Sequence, residues 1–177
     1  MKSTAVVILS LINTFARSME SHVMFGPYKI SPSSLFYESE HCYGLVNLKP
    51  IVPGHVLLIP KRIVSRCADM STIEATDLFQ SVHKVGPILE KHYKATSLNI
   101  AMQDGIDAGQ SVPHVHFHIL PRKSGDYENN DDIYEDLEKQ ELNNVFKENR
   151  EPRTTETMAV EANLLRTLFP DNIPNIS

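Results

Sequence analysis

A chain of 177 residues, 41% apolar and 22% charged, is long enough for one domain with its own core and has the composition of an ordinary soluble globular protein. Its formal net charge of -5 and pI near 5.9 exclude a general nucleic-acid or anionic-membrane binder, which needs a basic face to neutralise many phosphates. An anionic substrate would have to be met by a local site, and the two cysteines, Cys42 and Cys67, share no metal-type spacing and read as free thiols of a reducing compartment.

In chain order, Lys2 and the apolar run from Ala5 to Ile12, with Ala16 beyond it, have the parts of a short secretory signal, and the run is too short to span a bilayer. Nothing later looks secreted, so residues 1–24 read as an N-terminal extension, with a cleaved leader as the alternative. A domain over 25–170 follows, then a tail over 171–177. The expected location is cytoplasmic, with nucleus or mitochondrion as further compartments.

Gly26 to Ser34, with Pro27 and Pro32, reads as irregular entry. Leu35–Tyr37 reads as an edge strand and Cys42–Leu48 as a fuller one, bounded by Lys49-Pro50. Pro53-Gly54 makes a turn into a second strand, His55–Ile59, stopped by Pro60. Ser71 and Glu74 have the spacing of a capping box, and Leu78, Val82, Val85 and Leu89 form one helical stripe in which Pro87 predicts a kink. Ser97–Gln103 and His114–Leu120 read as strands. A polar, acidic stretch over about 125–150 reads as a mobile loop or a frayed helix, with Tyr134 as a minor phosphorylation candidate. A last helix is expected from Thr154 or Thr155 to about Phe169, with Met158, Ala162, Leu165 and Phe169 inward.

The segment that carries chemistry is His114-Val115-His116-Phe117-His118. In a strand, alternate side chains share a face, so the three histidines would form a row spaced about 6.5–7 Å apart, able to span a phosphate. A neutral imidazole is a nucleophile at physiological pH, and neighbouring rings can donate to phosphate oxygens or a leaving group. Gly109 lets a phosphate approach the backbone, while Gln103, Gln110 and Ser111 offer neutral donors that do not repel it. The competing reading of His-x-His is a zinc site, but the companions are amides and hydroxyls rather than carboxylates, so no metal site is assigned. His55, at the start of a strand, either buttresses the row or caps a turn.

These residues resemble the fragile-histidine-triad branch of the histidine-triad (HIT) superfamily. The likeness extends to Leu45-Val46-Asn47, Lys49-Pro50, Val52-Pro53-Gly54-His55-Val56, Asp77-Leu78-Phe79-Gln80, Met102-Gln103-Asp104-Gly105, Ala108-Gly109-Gln110, Leu120-Pro121-Arg122-Lys123 and Asp132-Ile133-Tyr134-Glu135, so it runs from about Phe25 to Phe169. It implies an α+β fold, an antiparallel sheet of about five strands with two main helices, and a homodimer whose two sheets become one. It implies hydrolysis of diadenosine triphosphate to AMP and ADP through a nucleotidyl-histidine. His116 would be the nucleophile, His114 and His118 phosphate stabilisers, and Gln103 a phosphate ligand. Gly109, Gln110, Ser111 and Val112 would line the polyphosphate path and Asn47 would meet the ribose. Leu45, Phe25 and Ile30 would form the adenine pocket. Mg²⁺ or Mn²⁺ would accompany the substrate rather than occupy a site of the protein.

Against that pattern, Tyr28 stands where the branch often has a histidine near the substrate, and Ser111 replaces a threonine while keeping the hydroxyl. Other readings are a nucleoside phosphoramidate hydrolase of the same superfamily, and a slow-turnover nucleotide sensor that presents a substrate-loaded dimer to protein partners.

Overall fold

The structure, a computed structural model, describes residues 23–141 and 151–175. The signal-like run at the N-terminus lies outside them, as does the stretch 142–150. Five strands build one antiparallel sheet: β3 (Leu35–Glu38), β4 (Cys42–Val46), β5 (Val56–Pro60), β6 (Ser97–Ala101) and β7 (Phe117–Arg122), in the order β3-β4-β5-β7-β6. β7 is therefore an internal strand, paired with both β5 and β6.

The pairing register decides what each face carries. Leu35 lies opposite Leu45, Leu45 opposite Leu57, Leu57 opposite His118, and His118 opposite Ala101. Cross-strand partners share a face, so one row crosses the whole sheet with a histidine in a line of aliphatic residues. The other face carries Phe36, Cys42, Val46, Val56, Leu58, Phe117 and Ile119 in the main core.

Helix α1 (Thr72–His92) covers that second face. Ser71 accepts from the Glu74 N–H while the Glu74 carboxylate accepts from the Ser71 N–H, closing the capping box. Leu78, Val82, Val85 and Leu89 are all buried in the core. Pro87 sits inside α1, which continues through it as one helix to His92. Helix α3 (Thr155–Arg166) adds Ala162 and Leu165 to the same core, followed by Phe169. Beyond it, the Asn172 amide donates to the Glu38 carbonyl at 2.8 Å, tying residues past the helix to the edge strand. No described helix is long and apolar enough to cross a membrane.

Three segments differ from the sequence reading. Residues 23–30 form a hairpin, β1 (Val23–Phe25) with β2 (Tyr28–Ile30), where irregular chain was expected; Gly26 takes φ +56° at its turn, a conformation glycine adopts without strain. Asp132–Glu141 forms helix α2, packed on a core cluster, where a mobile loop or a frayed helix is the expectation. Ile133 and Leu137, four apart, are buried against Val52 and Leu120, while the charges that suggested a loop lie outside. Finally, β7 begins at Phe117 and not at His114, and it continues through Pro121. That proline lies two residues past Ile119, the last β7 residue paired with β5, so its missing N–H falls where the strand has one neighbour.

Glu74 also accepts from two nitrogens of the Arg62 guanidinium, each at 2.7 Å. Arg62 holds its carboxyl down at about 2, against burial that pushes the other way, with the Ser71 bonds helping. The folded state thus binds the carboxylate form more strongly than the unfolded chain does. The resulting stability is present above pH 4.5 and is lost as pH falls through 2. Glu74→Ala should cost about 1–2 kcal/mol near neutrality. Urea unfolding from pH 7 to pH 2.5 should show the gap between variant and wild type closing as the acid is approached; a constant gap would contradict the assignment.

Candidate active site

The histidines are buried and individually fixed. His114 is wholly buried. Its Nδ1 accepts the Gly26 N–H at 2.9 Å and its Nε2–H donates to the Pro60 carbonyl at 3.0 Å. This is the neutral tautomer, and burial pushes its pKa down to about 4. Both ring nitrogens are engaged with backbone, so the phosphate contact expected of His114 is not available to its ring. It instead staples the β1–β2 hairpin to the end of β5. A methyl group at Gly26 would also come within 2.8 Å of Val112, so the close approach needs glycine.

His116, 1% exposed, donates its Nδ1–H to the His114 carbonyl at 2.7 Å. That bond puts the proton on Nδ1 and the lone pair on Nε2. The edge of Phe25 packs on this ring at 5.2 Å and the His118 ring stands 4.9 Å away. His118 comes from the sheet row itself. Its Nδ1 lies 2.9 Å from Nε2 of His55, which is fully buried behind it. The Ile51 N–H reaches His55 Nδ1 at 3.3 Å and the Asn47 amide lies 3.0 Å from His55 Nε2. The His55 ring fills both roles left open for it: it stands behind His118 and it caps the Ile51 N–H of its own turn. Asn47 is itself pinned, its Oδ1 accepting the Lys49 N–H at 3.0 Å.

The loop from Gln103 to Val112 leads from β6 back towards these rings. Gly109 takes φ +87°, and a Cβ there would meet the Gln103 amide at 2.7 Å, so glycine lets the loop fold onto Gln103. Gln110 was expected to present its amide to phosphate. Its amide instead accepts the Gly105 N–H at 2.9 Å and donates to the Ser65 carbonyl at 3.0 Å, bracing the loop. Ser111 is exposed at the rim. Val112, Phe25, Ile30 and Leu45 meet in one apolar cluster with Leu35, Leu57 and Ile59, so the residues read as an adenine pocket are neighbours. Tyr28 stands on β2 with 57% of its surface exposed. Tyr134 lies on α2, away from the histidines, its hydroxyl accepting from the Asn99 amide at 3.1 Å.

Sequence reasoning missed the brace around this loop. Arg66 grips Asp104 through two nitrogens, at 3.0 and 3.3 Å, and its guanidinium lies against Gly105. Asp104 stood in a quoted motif, but the partner 38 positions away had no local signal.

The HIT domain profile matches residues 29–125. The chain belongs to the HIT domain family. It is 47% identical over 148 residues to a bis(5'-adenosyl)-triphosphatase of Dictyostelium discoideum, covering 84% of this chain and 93% of that one. It is 41% identical to a bis(5'-nucleosyl)-tetraphosphatase (asymmetrical) of Schizosaccharomyces pombe, covering 86% and 97%. Among solved structures, a Plasmodium falciparum diadenosine triphosphate hydrolase in complex with cyclomarin A superposes with TM-score 0.69 at 28% identity, over 96% of this chain and 97% of that one. The Caenorhabditis elegans NitFhit protein gives 0.68 at 36%, over 92% of this chain and 37% of that longer one. Within this HIT domain, the signature histidines thus divide into a stapling ring, a ring with its lone pair set by the backbone, and a ring buttressed by a fourth histidine.

The His114 geometry makes a pH statement. The unfolded chain takes up a proton below pH 6.5 that the folded ring refuses until about 4, so stability falls as pH drops through that window and levels off beneath it. Long-range ¹H–¹⁵N spectra should show His114 as the neutral Nε2–H tautomer from pH 8 down to pH 5. A His114 ring that protonates near pH 6.5 would refute the staple.

Proposed function

We propose that this protein hydrolyses dinucleoside polyphosphates, splitting diadenosine triphosphate into AMP and ADP. The observation that carries the reading is the His116 Nδ1–H bond to the His114 carbonyl, which makes Nε2 a poised nucleophile without an external base. Relatives at 41–47% identity over most of the chain bear the names of such hydrolases. The triphosphate is favoured because two of those three names specify it.

Nε2 of His116 attacks the α-phosphorus, the P–N bond forms, and the P–O bond to ADP breaks, with the electron pair leaving on ADP oxygen. The ring is then cationic, and the Nδ1–H bond to a carbonyl stabilises that charge. Water attacks the same phosphorus, the P–N bond breaks, the pair returns to Nε2, and AMP leaves with the second proton passing to solvent. With the shared His55–His118 proton on His55, His118 presents Nε2–H to the phosphate or the departing oxygen. Gln103 and the backbone of Ser111 and Val112 supply neutral donors along the polyphosphate, and Gly109, whose own N–H is donated to the Ile106 carbonyl, lets the loop fold onto Gln103. Asn47 meets the ribose, the Phe25–Ile30–Leu45 cluster takes the adenine, and Tyr28 lies at its edge. Mg²⁺ or Mn²⁺ arrives on the phosphates. Two protomers join through β6, an edge strand whose Ile100 is 47% exposed, to make one continuous sheet. Two free thiols, one buried, suit a reducing cytoplasm.

His116→Asn keeps a polar side chain of similar reach but cannot form the covalent bond. Turnover of diadenosine triphosphate, followed by chromatographic product analysis with Mg²⁺ present, should fall by about 10⁴-fold or more. AMP binding measured by calorimetry should persist. Undiminished release of AMP and ADP by the variant would remove His116 from the mechanism, and absence of release by the wild type would sink the function itself.

A further inference from the structure

The loop between β4 and β5 carries both residues that stand behind His118, namely Asn47 and His55. It holds Pro50, Pro53 and Gly54, and within it the His55 N–H donates to the Val52 carbonyl at 3.1 Å. Something must orient its first peptide, because the direction of the Asn47 backbone sets where its N–H meets the His55 carbonyl, a bond of 3.3 Å.

Arg153 does this from the far side of the chain, 106 positions away. Its Nε donates to the Asn47 carbonyl at 3.0 Å and a second guanidinium nitrogen reaches the same oxygen. Its backbone N–H donates to the neighbouring Leu48 carbonyl at 3.0 Å. Two consecutive carbonyls are therefore gripped by one residue, which fixes the planes of the two peptides on either side of Leu48. The guanidinium is held in turn by Glu161 of α3 at 2.5 Å, and Glu161 accepts the Tyr93 hydroxyl at 2.8 Å from the end of α1. The Tyr93 ring lies against Gly54 in the same loop, where a Cβ would come within 2.5 Å of it. Arg153 and Glu161 keep only 18% and 19% of their side-chain surface, so water screens this pair less than an exposed one. A planar fork with fixed donors suits such a grip; an ammonium on a flexible stem supplies one movable point.

We infer that Arg153 is a positioning residue for the reaction: by clamping the Asn47–Leu48 peptide, it holds His55 against His118 and so orients the His118 ring. The inference rests on the proposed hydrolase reading for its kinetic arm, but its structural arm stands alone. The path is continuous: Tyr93, Glu161, Arg153, the Asn47 backbone, whose N–H donates to the His55 carbonyl at 3.3 Å, then His55 and His118, each step a hydrogen bond or a covalent link.

The test compares wild type with Arg153→Gln and Arg153→Lys in the full chain, each measured well below its unfolding temperature. Arg153→Gln should lower kcat for diadenosine triphosphate by about 10–100-fold through misplacement of the acting group. The AMP dissociation constant should stay within about twofold, and Arg153→Lys should recover part of the loss through its single donor. In a His118→Ala background, single-turnover rates should show no further loss from Arg153→Gln, since the group it positions is gone. Independently of turnover, the exchange-protected imidazole N–H proton bridging His55 and His118 should be visible by ¹H NMR in wild type and broadened or lost in Arg153→Gln. Unchanged kcat with that resonance intact overturns the inference, as does a rate loss that simply adds to His118→Ala. If the wild type does not hydrolyse the dinucleotide, the function reading fails and the resonance alone decides the clamp. If Arg153→Gln does not fold, Glu161→Gln carries the same measurements, because it releases the guanidinium while leaving it in the chain.

Discussion

The site turns on one short hydrogen bond, from the His116 Nδ1–H to the carbonyl of His114 two residues earlier. A side chain can reach back two residues only where the backbone is curved, and here the His114 N–H is also turned onto the Val112 carbonyl at 2.7 Å. The His114 carbonyl is thus spent on an imidazole rather than on a sheet partner. The ladder starts one residue after His116, with Phe117 opposite Leu58. The same bond sets a tautomer and ends a strand, so the chemistry of His116 and the boundary of β7 have a single cause.

That cause explains where the sequence was legible and where it was not. Strict alternation from His114 to Ile119 indicates a strand with a histidine face, and for His118 the sheet register agrees. For His114 and His116 the ladder is absent, because the His114 carbonyl accepts from the His116 ring while the His114 ring is held by Gly26 and Pro60. Those partners lie 88 and 54 positions away, beyond any local pattern. Helix α1 was readable because its signals are local: a box of three-residue spacing and a stripe at four, three and four. Helix α2 was hidden because the composition of 125–150 is dominated by acids. The decisive pair, Ile133 and Leu137, matters only once Val52 and Leu120 are known to lie beneath it. The apolar cluster of Phe25, Ile30, Leu45 and Val112 was partly visible from shared strand faces, whereas the brace from Gln110 to Ser65 was not.

The electrostatics of the site follow from burial more than from charge. Arg62, Arg66, Arg122 and Arg153 each sit on a carboxylate, namely Glu74, Asp104, Asp126 and Glu161. A chain of net charge -5 with these cations committed does not attract a polyphosphate by its overall field. On the proposed reading, attraction comes from oriented N–H groups and ring nitrogens, whose dipoles act strongly where water is excluded. Keeping His114 neutral serves that arrangement. A charged ring there could not accept the Gly26 N–H, the hairpin would lose its staple, and Phe25 would lose its place against His116.

This division of labour assigns the tolerance of each position. A ring that only staples, as His114 does, can be replaced wherever another side chain offers one acceptor and one donor at the same two backbone groups. On the proposed mechanism His116 has no such latitude, since its Nδ1–H, its lone pair and its reach to phosphorus must belong to one ring. His118 stands between the two cases. Its position on the sheet row is fixed by Leu57 and Ala101, but its rotation about that position is left to His55. The sheet therefore places the ring while the β4–β5 loop aims it, and aim is the property a loop loses first when its backbone is not held. A protein that needs His118 aimed must anchor that loop from outside the sheet. The one charged side chain among the described residues that bonds the Asn47 carbonyl from there is Arg153.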